Sequence, residues 1–343
     1  MLNQELSEQI RNKAIELGFE KCGIISISAM SGYLDRLQER EKHFPQTEPF
    51  LNQFADFAHP ESSFPWARSI VVAVWNFGQY RTSDDLKGIV GRTFLTTGPD
   101  SPLEQAQILL ENFFKDHSLQ YTSHAGLGLT SSRYAAEKAG LGIIRKNNFF
   151  YTENGSSSYI TTWLIDAETQ WCGTHQLAQC PDSCDLCRQA CPTGSLSQDY
   201  AMNPLICIAC LTTFTGRDLP AEPNRKQIGS WIYGCDACQD ACPFNKKGSS
   251  ELKDLPGTET VAKMMNPKMI LALDEQTWKT CLQPQFWYLK PDELWKLKVN
   301  ALNYMLNNWK DEYADLIRQT AKNESGPVRK MADFVLENTI DSK

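Results

Sequence analysis

The sequence predicts an α+β protein with three consecutive parts, and three observations carry this prediction. Residues 1–168 alternate helical hydrophobic patterns with short apolar, β-branched runs, which is typical of an α+β domain. Residues 169–250 have few apolar side chains but many cysteines, so bound clusters are expected to tie the loops together in place of a large core. Residues 251–343 show helical periodicity and predict an α-helical C-terminal region.

Composition limits the classes of protein that the chain can belong to. Its 343 residues allow two or three domains with a sizeable core. It has no run of about 18 apolar residues, so no membrane span is expected, and its first residues resemble no secretory signal. The net charge of −7 disfavours a broadly basic nucleic-acid surface, although a local basic patch stays open. Cluster thiolates require a reducing compartment, which predicts a cytoplasmic protein.

The N-terminal part begins with an amphipathic helix and two buried strands. Residues 3–17 place apolar side chains at helical spacing until Gly18 ends the pattern. These side chains are Leu6, Ile10, Ala14 and Leu17. Residues 21–27 and 69–75 are short apolar runs rich in β-branched residues, and each predicts a buried strand. The aromatic-rich stretch between the two strands carries few strong signals.

A second group of elements follows in the same part of the chain. Residues 101–104, Ser-Pro-Leu-Glu, form a capping box with proline at the first helical position and predict a helix to about Asp116. Its expected inward side chains are Ala106, Leu109, Leu110 and Phe113. Residues 132–139 predict a short helix that Gly140 stops, and residues 159–165 predict a strand.

Eight cysteines in two runs that each close with Cys-Pro carry the strongest signal. The runs are Cys180-x₃-Cys184-x₂-Cys187-x₃-Cys191-Pro192 and Cys235-x₂-Cys238-x₃-Cys242-Pro243, with Cys207 between them. One Cys-x₂-Cys alone would also fit a zinc ribbon, whereas two such runs are the pattern of a two-cluster bacterial ferredoxin, in which the fourth cysteine of each run ligates the other cluster. The pattern therefore predicts two [4Fe–4S] clusters. The ligands of the first are Cys180, Cys184, Cys187 and Cys242, and those of the second are Cys191, Cys207, Cys235 and Cys238.

The C-terminal part predicts packed helices. One predicted apolar face is formed by Leu297, Ala301, Leu302 and Leu306, and a second by Tyr313, Leu316 and Ile317. A last helix over residues 327–338 is expected to bury Val328, Met331, Ala332, Phe334 and Val335. Antiparallel helix pairs of this kind are HEAT-like, and an ordinary helical cap explains the pattern equally well.

Several segments resemble the epoxyqueuosine reductase family. The run from Arg133 to Gly142, followed by Lys146-Asn147, is similar to that family's ER-x-x-A-x-x-AGLG-x-x-GKN signature. Residues 234–245 are similar to its GCDDCQ-x-x-CPWN segment, and residues 207–212 to its CISYLT segment. Residues 297–302 resemble the start of the HEAT segment of the same family.

The resemblance implies a fold, cofactors and partners. It implies an N-terminal nitroreductase-like, cobalamin-processing-like domain beside a two-cluster bacterial ferredoxin-like domain, with cobalamin bound base-off between the two. The clusters would receive electrons from a low-potential donor, a ferredoxin or flavodoxin, and pass them to cobalt. In that family the substrate is an epoxide on a modified tRNA base.

The sequence departs from the family where the family carries acids. Aligned on Arg133, the family's acidic proton donor falls at Gly126, and a second family glutamate falls at Phe214. Opening an epoxide requires an acid near the developing alkoxide. Two functions are therefore open: a cobalamin-dependent iron–sulfur reductase whose substrate is unidentified, epoxyqueuosine in tRNA included, or a ferredoxin-type electron donor to a corrinoid partner protein.

The candidate proton donor is His124, because imidazole titrates near neutrality, and a surface or packing role is the alternative for it. Tyr121 and Tyr134 are weaker candidates. The candidate cobalamin contacts are Gly126, Gly128, Arg133, Gly140, Gly142, Arg145, Lys146 and Cys210. The glycines could admit a flat macrocycle or serve as loop and helix-stop residues. The cations could pair with cobalamin's amides and phosphate or form a solvated face, and Cys210 could face the pocket or simply pack.

Overall fold

The computed structural model describes residues 3–98, 101–123, 128–214, 218–245 and 252–339. Its strands are β1 Lys21–Ser26, β2 Ser69–Asn76, β3 Tyr80–Arg81, β4 Tyr121–Thr122, β5 Ile143–Ile144, β6 Phe150–Tyr151, β7 Ser158–Ile165 and β8 Lys253–Asp254. Its α-helices of six residues or more are α1 Gln4–Glu16, α2 Tyr33–His43, α3 Pro102–Asp116, α4 Ser132–Lys138, α5 Ile208–Thr213, α6 Thr258–Met264, α7 Pro267–Ala272, α8 Leu294–Asn307, α9 Ala314–Asn323 and α10 Gly326–Thr339. Shorter helical turns include Leu186–Gln189 and Ala237–Asp240.

The N-terminal part is built on a four-stranded antiparallel sheet in the order β1–β2–β7–β4. Side chains alternate between the faces, so Ile70, Val72 and Val74 enter the core formed with α2 and α4. The intervening side chains of Val71, Ala73 and Trp75 enter the core formed with α1 and α3. Because helices cover both faces, β2 is a continuous apolar run, as the sequence indicated.

Most predicted N-terminal elements are confirmed, with one correction to a helix face. In α3, Ser101 accepts a hydrogen bond from the Leu103 amide at 3.1 Å, but Glu104 accepts from the Gly98 amide at 2.7 Å instead of closing the predicted box. Leu109 is 48% exposed, so its predicted inward position was wrong. The buried side chains of α3 are Leu103, Ala106, Leu110 and Phe114. The true face follows Phe114, whose ring packs against Trp163 of β7.

Helix α2 and the β5–β6 hairpin had no counterpart in the sequence prediction. Helix α2 buries only Tyr33 and Leu37, and its other positions are mostly charged or polar. Two apolar residues over three turns leave almost no periodic signal, because tertiary contacts rather than amphipathicity stabilise this helix.

The C-terminal helices share one large core with the cysteine-rich part. Helix α10 packs against both α8 and α9, and Leu297, Trp278 and Phe286 are fully buried. Phe334, predicted to be inward, is only partly buried. Residues 86–95, which belong to the N-terminal part in sequence, contribute Leu86 and Val90 to this same core. Packing thus crosses the predicted boundaries at residues 168 and 250, which stay predictions. Within the described ranges, no helix is long and apolar enough to cross a membrane.

Candidate cluster and cofactor sites

The first predicted cysteine quartet lies around one cavity. Its four members, Cys180, Cys184, Cys187 and Cys242, all line that cavity. Burial raises the pKa of the Cys187 thiol to about 11, and the other three thiols act in the same direction, which shows how close they are. Cys242, the last cysteine of the second run, therefore lies with three cysteines of the first run, as the ferredoxin pattern requires.

The second quartet is gathered in the same way. Burial raises the pKa of Cys238, and the neighbouring thiols of Cys235, Cys207 and Cys191 raise it further. Cys187 of the first quartet also acts on Cys238, and the helical turns that carry these two cysteines, Leu186–Gln189 and Ala237–Asp240, pack together. The two quartets are therefore neighbours.

Arg145 provides a physical test of what the first cavity accommodates. Its side chain lines the cavity and is only 2% exposed. Its Nη1 lies 3.8 Å from Cys180 Sγ, and its Nε has no hydrogen-bond partner among the described residues. A buried cation without a counter-charge is unfavourable. Four thiolates carrying an iron–sulfur cluster would supply the missing negative charge, so the residues present fit a cluster.

No three described His, Cys, Asp or Glu side chains converge closely enough to hold a single metal ion. A four-iron cluster separates its thiolates more widely than one ion does, because each thiolate binds a different iron. The four thiols of each quartet are the donor set that such a cluster requires.

Lys146 stabilises the loop that carries the first ligands. Its Nζ donates to the backbone oxygens of Asp182, at 2.9 Å, and Cys184, at 3.3 Å. It also pairs with Asp199 at 3.1 Å, and this hydrogen bond raises the pKa of Lys146. Lys146 and Arg145 were predicted to contact cobalamin, but the structure places both at the first quartet and outside the lining of the cleft described next.

A separate cleft lies where α2 and α4 meet the cysteine-rich part. Its lining includes Tyr33, Arg40, Arg133, Tyr134 and Tyr200. Burial lowers the pKa of Arg40, and the adjacent guanidinium of Arg133 lowers it further. Arg40 Nε has no hydrogen-bond partner, and neither arginine forms an ion pair with a carboxylate in the part of the chain that the structure describes. Two neighbouring cations of this kind favour an anionic ligand.

Cys210 connects this cleft to the second quartet. A hydrogen bond from Cys210 holds the pKa of Cys207 at about 6, below its ordinary value. The same hydrogen bond and burial raise the pKa of Cys210, whereas Arg40 and Arg133 act to lower it. Cys210 is thus close to a predicted cluster ligand and to both cleft arginines.

Two predicted cofactor glycines are required by contacts within the protein. At Gly140, where φ is +68°, a Cβ would lie 2.3 Å from the backbone oxygen of Gly173. At Gly142 it would lie 2.1 Å from the backbone oxygen of Tyr151. Close backbone packing therefore accounts for both residues without a macrocycle. Gly128 also has a positive φ, but a Cβ there would meet Phe57 only at an ordinary 3.6 Å.

The candidate proton donors have different positions. His124 and Gly126 lie outside the described residues. Tyr134 lines the cleft, whereas the Tyr121 ring packs 5.5 Å from Phe114 on the far face of the sheet.

The sequence analysis missed the contribution of α2 to the cleft. Arg36, Glu39, Arg40 and His43 all line it. In the sequence, these residues are indistinguishable from a solvated helix face, since nothing local shows that α4 and the segment around Tyr200 cover them. The clustering of four basic residues within eight positions, Arg36, Arg40, Lys42 and His43, was the available signal.

The chain is similar to one family model and to several known proteins. Residues 179–245 match the family model of a 4Fe–4S double cluster binding domain. Epoxyqueuosine reductase from Bacillus subtilis (strain 168) is 28% identical over 301 residues, which cover 80% of this chain and 72% of that protein. The enzyme of that name from Listeria monocytogenes is 29% identical over 265 residues, covering 70% of this chain and 65% of that protein.

Solved structures show the same fold over nearly the whole chain. A selenomethionine-labelled epoxyqueuosine reductase superimposes with a TM-score of 0.76 at 24% identity, covering 97% of this chain and 90% of the other. An epoxyqueuosine reductase with an epoxyqueuosine-modified tRNA stem loop has a TM-score of 0.68 at 24% identity, covering 96% and 99%. The chain is therefore a divergent relative of the epoxyqueuosine reductases, a family of oxidoreductases, and contains a 4Fe–4S double-cluster domain.

Proposed function

We propose that this protein is a cobalamin-dependent iron–sulfur reductase whose clusters deliver electrons to a cofactor in the cleft between α2, α4 and the cysteine-rich part. The observation that carries the proposal is the position of Cys210, which contacts Cys207 of the second quartet and lies close to Arg40 and Arg133 of the cleft. A cluster and a cofactor site that share a wall are suited to direct electron transfer.

The proposal assigns the eight cysteines to two clusters. The first is held by Cys180, Cys184, Cys187 and Cys242, and the second by Cys191, Cys207, Cys235 and Cys238. The second quartet adjoins the cleft through Cys207 and Cys210, whereas the first quartet lies beside Leu186, an apolar side chain that is 45% exposed and could contact a donor. Electrons from a low-potential donor such as a ferredoxin or flavodoxin would therefore enter at the first cluster and leave from the second.

The cleft residues fit part of cobalamin. The adjacent guanidinium groups of Arg40 and Arg133 suit the phosphate of its nucleotide tail, because charge-assisted hydrogen bonds to an anion are strong. The rings of Tyr33, Tyr134 and Tyr200 offer flat, amphipathic surface beside them. When bound, cobalamin would supply a cobalt centre able to accept electrons and use them for reductive chemistry.

The substrate proposed first is the one named for the relatives, an epoxide on a modified tRNA base. Its reduction needs two electrons and two protons, and opening the ring leaves an alkoxide on the epoxide oxygen that must be protonated. His124 is the proposed proton donor on sequence grounds, and Tyr134 is the described cleft residue that could share this role.

A second function is favoured by the surroundings of Phe214. Its ring lies 4.3 Å from that of Tyr288 and 6.2 Å from that of Phe50, so an aromatic contact stands where the family carries an acid. An apolar wall suits electron delivery to a corrinoid held by a partner protein, which needs no proton donor in this chain.

Cobalamin titration of anaerobically purified protein tests the proposal, with iron and sulfide measured on the same sample. We expect about eight irons per chain and one bound cobalamin. Arg40→Gln and Arg133→Gln should each weaken cobalamin binding by about tenfold to a hundredfold, the usual effect of losing a hydrogen bond to a charged group. Arg36→Gln is the matched control, because Arg36 lines the same cleft but already pairs with Glu137 at 2.8 Å. It should change the affinity by less than about twofold.

The outcomes separate the two functions. Bound cobalamin with reduction of an epoxyqueuosine-containing tRNA stem loop supports the reductase with the substrate of its relatives, and bound cobalamin without that turnover supports a different substrate. A full complement of iron with no cobalamin affinity contradicts the reductase and favours the electron donor. If Arg36→Gln loses as much cobalamin affinity as the other two variants, the effect is not specific to Arg40 and Arg133. That outcome would contradict their assignment to the cobalamin site.

A further inference from the structure

The side chain of Arg145 carries a buried charge that has no carboxylate partner among the described residues. It is 2% exposed and directly follows the short strand β5. Nothing in the resemblance to known proteins explains it, because the family signature has glycine at this position. A residue added at a buried site beside a predicted cluster is a candidate for adjusting that cluster.

The guanidinium is held in one place by apolar and aromatic contacts. Its central carbon lies 3.6 Å from the centroid of the Phe244 ring and 5.1 Å from that of Tyr151. Phe244 follows the Cys242-Pro243 pair, so the ring is attached directly to the segment that completes the first quartet. Cation–π contacts orient the group and lower the cost of burying it but do not neutralise its charge.

No carboxylate pairs with Arg145 among the described residues. The nearby Asp199 pairs instead with Lys146 and Arg188. In the described part of the chain, Nη1 of Arg145 contacts Cys180 Sγ at 3.8 Å, and Nε has no partner. Its full positive charge is thus directed at the first quartet from a site where water screens it little.

We infer that Arg145 raises the reduction potential of the first cluster by placing a buried, unpaired positive charge against its Cys180 side. The inference rests on the ligand assignment of the proposed function, but not on cobalamin. Reduction adds one electron and converts the cluster with its four thiolates from a dianion to a trianion, with no bond formed or broken. A fixed cation stabilises the trianion more than the dianion, and net charge and hydrogen bonds to sulfur are the levers by which proteins set such potentials. The reductant is the low-potential one-electron donor, for which dithionite substitutes in a titration.

The consequence for function is directional. In the proposed order of electron transfer the first cluster receives the electron, so a higher potential there favours uptake from the donor. Transfer onward to the second cluster and the cleft is then the more demanding step. Arg145 therefore acts by placing a positive charge beside the cluster, and it is not a catalytic residue.

The test is an anaerobic potentiometric titration of the full-length protein followed by electron paramagnetic resonance. Arg145→Met removes the charge at similar volume, Arg145→Gln keeps a hydrogen-bond donor without charge, and Arg145→Lys keeps a charge. At a fixed ambient potential, Met and Gln variants should show at least about tenfold less reduced first cluster, a shift of about 59 mV for one electron. In Arg145→Lys, the reduction potential of the first cluster should fall by less than half of that amount.

Arg188→Gln is the matched control. Arg188 lies beside the ligand Cys187, but its side chain is 43% exposed and pairs with Asp199 at 3.6 Å. Solvent screens a charge there, so the population of reduced cluster should change by less than about twofold. In a Cys238→Ala background only the first cluster is expected to remain. Repeating the titration there shows which reduction potential belongs to the first cluster.

Unchanged potentials in both Met and Gln variants, or equal shifts of both clusters, would overturn the inference. A shift in Lys as large as in Met would also do so, because it would trace the effect to packing. If Arg145→Met fails to retain clusters, the comparison of Gln with Lys still decides between charge and packing. Absence of clusters from the wild-type protein overturns the proposed function itself, which distinguishes that failure from an unshifted potential.

Discussion

At the scale of single residues, burial decides how a side chain behaves, and Cys22 illustrates it. The sequence indicated a cysteine packed within a strand, and in β1 its side chain is 3% exposed, opposite Ala73 of β2. Burial raises the pKa of this thiol to about 12, while Arg11 acts to lower it. The folded protein therefore keeps Cys22 neutral at pH values where an unfolded chain would ionise it, at about 8.5.

This difference predicts a pH-dependent contribution to stability. A thiol with a raised pKa in the folded state contributes stability below the unfolded pKa of about 8.5 and loses it as the pH rises toward about 12, at about 1.4 kcal/mol per pH unit. The stability advantage of wild-type protein over Cys22→Ala should narrow by about 1.4 kcal/mol between pH of about 7.5 and 9.5. Urea unfolding followed by tryptophan fluorescence at both pH values measures it.

Cys281→Ala is the control for the Cys22 prediction. Cys281 is exposed, so its replacement removes a thiol without removing a buried one. The difference in unfolding free energy between wild type and Cys281→Ala should not change in this way with pH. If it narrows as much as the difference for Cys22→Ala, the prediction is contradicted.

At the scale of elements, helix α8 supports the second cysteine quartet through buried asparagines. Asn300 Nδ2 donates to the backbone oxygens of Thr212 and Ile232, each at 2.9 Å. Thr212 lies near the end of α5, the helix that begins directly after Cys207, and its hydroxyl accepts a hydrogen bond from the Gly234 amide at 2.9 Å. A single side chain of the C-terminal region thus joins the segments that carry Cys207 and Cys235.

Removing this side chain should loosen the second cluster selectively. Asn300→Ala leaves two buried carbonyl oxygens without their partner, which costs about 1–3 kcal/mol for each group. We expect a lower melting temperature and earlier loss of about half of the iron absorbance on heating. Asn338→Ala is the matched control, because Asn338 is exposed on α10 and bonds only to Phe334 of its own helix. Loss of both clusters together in Asn300→Ala would show that α8 supports the whole domain instead.

At the scale of the whole molecule, the cysteine-rich part is attached to both of its neighbours. Asn245 accepts a hydrogen bond from the Ser156 amide at 2.7 Å and donates to the Ser156 hydroxyl at 2.9 Å. Arg92, also of the N-terminal part, pairs with Asp236 at 3.2 Å and with Asp240 at 2.7 Å. On the C-terminal side, Asn300 of α8 bonds to the backbone of Thr212 and Ile232. The ligand segments are therefore held by the N-terminal part as well as by the C-terminal core, so a cluster can be lost without the fold collapsing.

The division of the cysteines into two quartets is testable on the same grounds. Cys238→Ala should lose about four of about eight irons and keep the first cluster, whose four thiols lie around a separate cavity. Iron and sulfide analysis after anaerobic reconstitution, with circular dichroism to verify the fold, measures this. Cys281→Ala should keep all of the iron, and full retention of iron in Cys238→Ala would contradict the assignment.

Local patterns were sufficient for the elements whose evidence is local. Strand β2, helices α1, α8 and α10, and the pairing of cysteine runs all follow from short spacings, because hydrophobic periodicity and Cys-Pro closure act within a few residues. The inward face of α3 was wrong by one position, since whether Phe113 or Phe114 points inward depends on Trp163 across the core. Helix α2 was missed because it buries only two side chains.

The sequence by itself determined that this is an α+β protein with a double-cluster domain and a helical C-terminus, because those features are written in spacings of three to seven residues. Only the tertiary structure decided which charges are buried and what they face. In the structure Arg40 lies beside Arg133 in the cleft, whereas Arg145 and Lys146 lie at the first quartet and not in that cleft. Residues 86–95 pack into the C-terminal core. Such relations join residues far apart in the chain, and the energy of a charge depends on its surroundings and not on its neighbours in sequence.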